Sequence, residues 1–266
     1  MAKLLTDDLW NRIEPFIPAD PPKPEGGRPR VPARACLTGI LFVLKTGIPW
    51  GDLPEEMGCG SGVTCWRRLR EWQAAGVWDA LLRVLLDELG AAGTIDWSRA
   101  SLDSATVPAP GGGETTGKDP TNRGKLGSKR HLIVDGGGTP LAVVQSGANT
   151  HDSALLEAAV DAVPRVKTPR GGRRRRPAKL HADKAYDGRP SRQRLRRRRI
   201  KARIARKGVE RSDRLGRHRW KVERTLSWLN RFRRLKVRYE RYEDTHQAFL
   251  LLGCSLICLR RLQGRF

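Results

Sequence analysis

The chain changes periodicity once, at the Gly-Ala-Ala-Gly stretch 90–93, and that switch limits the folds open to it. Before it, apolar residues recur at helical spacing; after it, short strand-like runs alternate with helical ones. In the first part, residues 3–17 place Leu5, Leu9, Trp10, Ile13 and Phe16 on one helical face, with Thr6 or Asp7 as cap. Residues 18–32 are rich in Pro and Gly and read as a linker. Helices are predicted over 33–46, ending at Gly47, over 61–75 with Ser61 as cap, and over 78–89. Arg67, Arg68 and Arg70 fall on the polar side of the second of these. Helix, turn and helix with arginines on the second member suits a helix-turn-helix-like module in a DNA groove; a plain bundle with surface arginines is the alternative.

Past residue 93 the predicted order is a strand at 100–107, a Gly-rich loop at 108–127, and a hairpin of 129–135 with 140–146 about a Gly-Gly-Gly turn. A helix over 152–163, capped by Asp152 or Ser153, precedes a basic turn without regular structure at 168–177. Strand 178–182, helix 190–198, strand 200–205, helix 216–233, an extended 237–242 and a helix over 245–262 complete it. Such alternation predicts an α/β fold, a mixed sheet flanked by helices, preceded by a small all-α domain. The expected units are 1–92, helical, and 93–266, α/β.

Charge is as uneven as periodicity. Residues 165–241 hold 32 Lys+Arg against 6 Asp+Glu, a net of +26, so the remaining residues, with 20 bases and 22 acids, sum to −2. The whole excess of +24 therefore sits in one region. Leu180, Ile200, Ile204, Trp220, Leu226 and Leu229 interleave with its arginines, which argues against a disordered basic tail. A folded surface this basic expects a polyanion, with nucleic acid first. The five cysteines (36, 59, 65, 254 and 258) are odd in number and lack a zinc-ligand spacing, so reduced thiols of a cytosolic protein are expected. No signal peptide is read, and the longest apolar run, 248–259, is about half of what a membrane-spanning helix needs. A soluble protein without a membrane partner is the expectation.

Three acids stand out against this background. Asp103 lies inside an apolar strand, where a charge is unfavourable unless paired or metal-bound. Asp183 ends a strand, where open α/β sheets place their sites. Glu223 sits on a helix beside the core residue Val222, one turn after Arg219. Together they have the hard oxygen donors that suit a pair of Mg²⁺ ions and phosphoryl transfer. Each also has a plain alternative. Asp103 can cap a turn, Asp183 can pair with Lys184 or Arg189, and Glu223 can pair with Arg219. His151 and Asp152 suggest a metal dyad or a simple helix cap, and His181, two before Asp183, a supporting partner or a packed ring.

The motifs SLDSATV around Asp103, GxKxHLIVDxxGxPLAVVxSGANxHDS across 127–153, LHADKAYDG around Asp183 and RWKVERTLSWLNRFRRLKVRYER across 219–241 resemble those of DDE transposases of small bacterial insertion sequences. GIPWGDLPEEMG and TCWRRLREWQAAGVWDALL resemble the helical DNA-binding part of that family. The resemblance implies a ribonuclease H-like catalytic domain, with Asp103, Asp183 and Glu223 as metal ligands and Arg219 beside them. It implies Mg²⁺, with Mn²⁺ as substitute, DNA cleavage and strand transfer, and a homodimer on double-stranded DNA (element ends and target) in the bacterial nucleoid. The family signature Tyr-x2-Arg-x3-Glu-x6-Lys is met at Arg219 and Glu223, but Gly216 and Asn230 hold its Tyr and Lys positions. Roles of those two are therefore not carried over, and Arg231 or Arg233 would stand in for the lysine. Further DNA contacts are expected from Arg67, Arg68, Arg70, Lys129, Arg130, Lys184, Arg196, Arg197, Arg198 and Arg199. A non-catalytic DNA-binding regulator and a ribonuclease H-like nuclease are the rival readings.

Overall fold

The computed structural model describes residues 4–22, 24, 26–206 and 216–265, with the side chains of the last stretch described from Arg219 onward. Its first helix, α1 (Asp7–Ile13), is capped by the Thr6 hydroxyl, which accepts the Leu9 N–H at 3.2 Å. The predicted helix stops early because Pro15 enters a 3₁₀ turn, Glu14–Phe16. Helix α2 (Ala33–Thr46) ends as predicted at Gly47, whose φ of 76° is left-handed. Helices α3 (Gly62–Ala74), capped by Ser61, and α4 (Val77–Ala91) follow. Between α2 and α3 lie 3₁₀ turns at Trp50–Asp52 and Glu55–Met57. A DNA-reading helix-turn-helix joins its helices by three or four residues, and this connection is far longer.

Strand β1 (Ala100–Pro108) opens the sheet. It is followed by β2 (Gly117–Lys118), β3 (Leu126–Asp135) and β4 (Pro140–Gly147). Strands β3 and β4 are buried along nearly their whole length, as expected for runs such as HLIVD and PLAVV covered on both faces. A 3₁₀ turn, Asp152–Leu155, leads into α5 (Leu156–Asp161). The basic stretch expected to be irregular forms a small hairpin, β5 (Val166–Lys167) with β6 (Arg173–Arg174). It is anchored from outside: Asp87 of α4 accepts the Lys167 N–H at 2.8 Å and pairs with Arg173 at 3.2 Å. A Cβ at Gly90 would stand 2.2 Å from the Lys167 carbonyl, so only glycine lets α4 approach this closely.

After it come β7 (Lys179–Ala182), α6 (Arg189–Arg197) and β8 (Lys201–Ile204). The chain closes with α7 (Gly216–Leu229), α8 (Arg233–Lys236) and α9 (Glu243–Leu262). The main sheet runs β2-β3-β1-β7-β8, with β4 on the free side of β3. Strand β3 is antiparallel to β1 and β4, while β1, β7 and β8 are mutually parallel. Helices α7 and α9 cover one face, and α5 and α6 the other.

One hydrophobic core runs through the described residues, from Leu9 and Trp78 in the first helices to Leu132 in the sheet and Leu252 in α9. The predicted break near residue 92 falls in the turn after α4, yet the helices before it are not detached, because α9 packs on both α3 and α4. The seam is also polar. Arg234 donates to Glu240 at 2.6 Å and to the Ile48 carbonyl at 2.9 Å, and all of the Arg234–Glu240 pair is buried. Trp50 stacks on Phe249 with ring centres 5.8 Å apart.

Candidate active site

The candidate site forms where β1, β7 and α7 meet. Asp103 lies mid-way along β1 and points toward α7, its side chain 14% exposed. The Ser104 N–H donates to its Oδ1 at 2.9 Å, and Arg219 Nη2 donates to its Oδ2 at 3.1 Å. Parallel pairing sets Ala100 against Leu180 and Ser101 against His181, so the same register brings Asp103 level with Asp183. Asp183 is the first residue past β7. It caps the 3₁₀ turn Lys184–Tyr186 by accepting the Ala185 N–H at 2.9 Å. Both carboxylates are thus aimed by a backbone amide one or two residues further on.

Glu223 follows Arg219 by one turn of α7, and Arg219 Nη2 lies 3.6 Å from its Oε1. One guanidinium therefore bridges Asp103 and Glu223, while Arg219 Nε is buried without a hydrogen-bond partner. The Glu223 side chain is 56% exposed. Burial pushes the Asp103 carboxyl above its ordinary pKa. Arg219 and the Ser104 amide pull it back, and the nearby charge of Asp183 adds to the rise.

The two neighbouring aspartates bring hard oxygen donors of the kind a divalent cation such as Mg²⁺ takes. Glu223 does not complete the set in this arrangement. Among the described residues no group of three or more His, Cys, Asp or Glu side chains is gathered closely enough to hold a metal ion. Arg219 instead stands between Asp103 and Glu223, its Nη2 3.1 Å from the one and 3.6 Å from the other.

Sequence reasoning passed over Tyr186. Its ring is fully buried under the site, facing Ser104, and burial together with the charges of Asp152, Asp103 and Asp183 holds its proton on. The signal was its place three residues after Asp183 in DKAY. Lys129 and Asp152 form an ion pair at 2.9 Å on the opposite face of the sheet from Asp103. The 3₁₀ turn at 152–155 is capped by His151, whose Nδ1 accepts the Ser153 N–H at 3.3 Å, rather than by Asp152 or Ser153. The expected cap, Asp152 or Ser153, is thus corrected to His151, and Asp152 is taken up by Lys129 instead.

The expected DNA contacts divide sharply. Arg67, Arg196, Arg197, Arg199, Arg231 and Arg233 are exposed. Arg68 is buried instead, pairing with Asp20 at 2.7 Å and donating to the Val31 carbonyl, which ties the 18–32 segment to α3. Arg130 is buried too. It donates to the Asn230 side chain and, at 3.2 Å, to the Leu235 carbonyl. These acceptors lie where the predicted 216–233 helix breaks between α7 and α8, and broken helix ends need donors. Arg70 is taken up by Asp244 at 2.8 Å and stacks on Tyr242. Arg198 pairs with Asp161 and Glu157 at 2.5 and 2.6 Å, and Lys184 is half-buried beside Asp183.

Comparison with known proteins gives two family matches. The family described as "Transposase DDE domain" matches residues 98–258, and "Putative transposase of IS4/5 family" matches residues 5–82. From Burkholderia cepacia, "Insertion element IS402 uncharacterized 16.2 kDa protein" is 58% identical over 123 residues, 45% of this chain and 84% of that protein. "Putative transposase for insertion sequence element IS402", from the same organism, is 46% identical over 148 residues, 56% of this chain and 70% of that protein. No solved structure matches the chain.

Proposed function

The chain belongs to the DDE-domain transposases, and on that premise we propose that it cuts DNA at the ends of an insertion sequence and joins the freed strand to target DNA. The observation that carries this reading is the level placement of Asp103 on β1 and Asp183 just past the end of the adjacent parallel strand β7, with Arg219 linking Asp103 to Glu223. The strand order, with one antiparallel neighbour on β1 and two parallel strands beyond it, supports a ribonuclease H-like catalytic unit over 93–266. The helices of 1–92 are the proposed DNA-recognition unit.

In this reading Asp103, Asp183 and Glu223 would hold Mg²⁺, with Mn²⁺ able to replace it. Bound there, the ions would supply a nucleophile at neutral pH and stabilise the leaving oxygen. The residues of the chain do the rest. The Ser104 and Ala185 amides fix the two aspartates, so the site is oriented before DNA arrives. Arg219 would release Glu223 as the site fills and keep its guanidinium beside Asp103. Exposed Arg67, Arg196, Arg197, Arg231 and Arg233 position the phosphate chain. The first step is hydrolysis of a phosphodiester at the element end. In the second, the freed 3′-hydroxyl displaces a 3′-oxygen in target DNA, with no protein–DNA bond. Joining two ends calls for two copies of the chain on DNA.

Asp103→Asn, Asp183→Asn and Glu223→Gln test the assignment in a strand-cleavage and strand-transfer assay with Mg²⁺ and an end-containing duplex. Each variant is expected to bind DNA and fail to nick it. Nicking that persists in any one of them removes that residue from the mechanism. Cleavage without joining in the wild type would favour a simple nuclease, and binding without cleavage a regulator.

A further inference from the structure

A groove of about 840 Å³ lies away from the acidic site, lined by Arg165, Arg173, Arg174, Arg175, Arg176 and Arg199 and by no acidic residue. We propose that it is a second DNA site, holding the phosphate backbone of a duplex outside the stretch being cut. The proposal rests on the transposase reading and adds a separate contact surface to it.

Its position follows from the sheet. Ala178 precedes β7 and Arg199 precedes β8, so the groove sits at the amino ends of these parallel strands. Asp183 follows the carboxyl end of β7. The five residues from Ala178 to Asp183 span roughly 16 Å at extended rise. DNA lying in the groove is therefore not the phosphate at the acids.

The arginines divide into a scaffold and a free set. Arg173 is held by Asp87, Arg174 donates to the Trp97 carbonyl and stacks over its ring at 5.8 Å, and Arg175 donates to the Asp161 carbonyl at 2.6 Å. These contacts stiffen the β5–β6 hairpin. Arg165, Arg176 and Arg199 are exposed, and among the described residues their side chains make no hydrogen bond or ion pair. Three mounted charges beside a braced wall suit successive phosphates.

Arg199 carries an independent mark. Its φ of 55° is left-handed, at the turn after α6 where glycine is the usual residue. Glycine would adopt this backbone with less strain, so what arginine adds at this position is a cationic side chain on the wall of the groove.

The test uses the full chain, a long duplex carrying the element end, and a short one truncated close to the cut. Arg165→Ala, Arg176→Ala and Arg199→Gly are combined. The triple variant is expected to lose the preference for the long duplex, with its slope of log K against log salt on that duplex shallower by about 2 to 3. Hydroxyl-radical protection should vanish outside the cut and persist at it. Arg199→Gly alone, which suits the left-handed backbone, should keep or raise the melting temperature while the slope drops by about 1. An unchanged slope in the triple variant, or loss of protection at the cut alone, overturns the site and leaves the transposase reading standing. Tighter binding of an RNA duplex than of DNA by the wild type also overturns it. Failure of the wild type to bind either duplex overturns both.

Discussion

Arg219 donates to Asp103 across the gap between α7 and β1, at 3.1 Å, and so ties the helix that carries Glu223 to the strand that carries the first aspartate. Replacing it removes the cation that partly offsets the burial of Asp103. Arg219→Gln is expected to lower the cleavage rate by roughly ten- to a hundredfold, the range found for groups that orient a metal ligand. The acidic limb of the pH–rate profile should also move to higher pH, because the Asp103 carboxyl, already raised by burial, rises further. An unshifted limb would separate the arginine from that carboxyl.

Asp103→Asn should be inactive yet as stable as the wild type or more so at neutral pH. The folded chain holds the Asp103 proton more tightly than the unfolded one, since burial raises its pKa. Stability tied to this proton is present below the unfolded value and is lost as pH rises through the folded one. The amide has no charge to bury. Thermal melts at neutral and at acidic pH check this, with the variant's advantage expected to shrink on acidification.

Mg²⁺ should stabilise the wild type against urea by about 2.7 kcal/mol at a hundredfold excess over its dissociation constant. Asp103→Asn and Asp183→Asn should lose this increment, while Arg219→Ala should keep or enlarge it, because the competing cation is gone. Equal stabilisation of all four proteins would place the ion elsewhere.

His131 makes the fold acid-sensitive. Burial lowers its pKa to about 4, against 6.5 for the free residue, while its Nε2 stays 2.9 Å from the Ser146 hydroxyl. The unfolded chain binds this proton first. Stability present above the unfolded pKa is lost as pH falls from 6.5 toward 4, by an amount on the order of 3 kcal/mol. His131→Gln should flatten denaturation curves across that window.

Glu240→Leu would leave Arg234 buried without its acid, at the corner where α2, α8 and α9 join. A loss of roughly 3–5 kcal/mol is expected, as for other broken buried pairs. Urea unfolding of the variant, followed by circular dichroism, reads the loss.

Local chemistry explains what sequence reading reached. The 33–46 helix and its Gly47 stop, the Ser61 cap and the hairpin about 136–138 depend on neighbours within a few residues, and they were legible. The two aspartates were legible as charges in the wrong place, one inside a strand and one at a strand end. The β5–β6 hairpin was not, because its order comes from Asp87 and Gly90, some eighty positions earlier. Arg68 and Arg130 look like surface charges until Asp20, Asn230 and the Leu235 carbonyl are brought to them. From the sequence Glu223 fits either a metal ligand or an ion-pair partner of Arg219, and in the structure it stands 3.6 Å from Arg219.

Helix α9 is the last element of the chain and the surface on which α3 and α4, among the first, are packed. A premature stop anywhere before residue 243 strips those early helices of their cover, however much of the chain has been made. A chain ending at residue 242 is therefore expected to be cleaved faster than the full chain, which limited proteolysis of the two side by side checks.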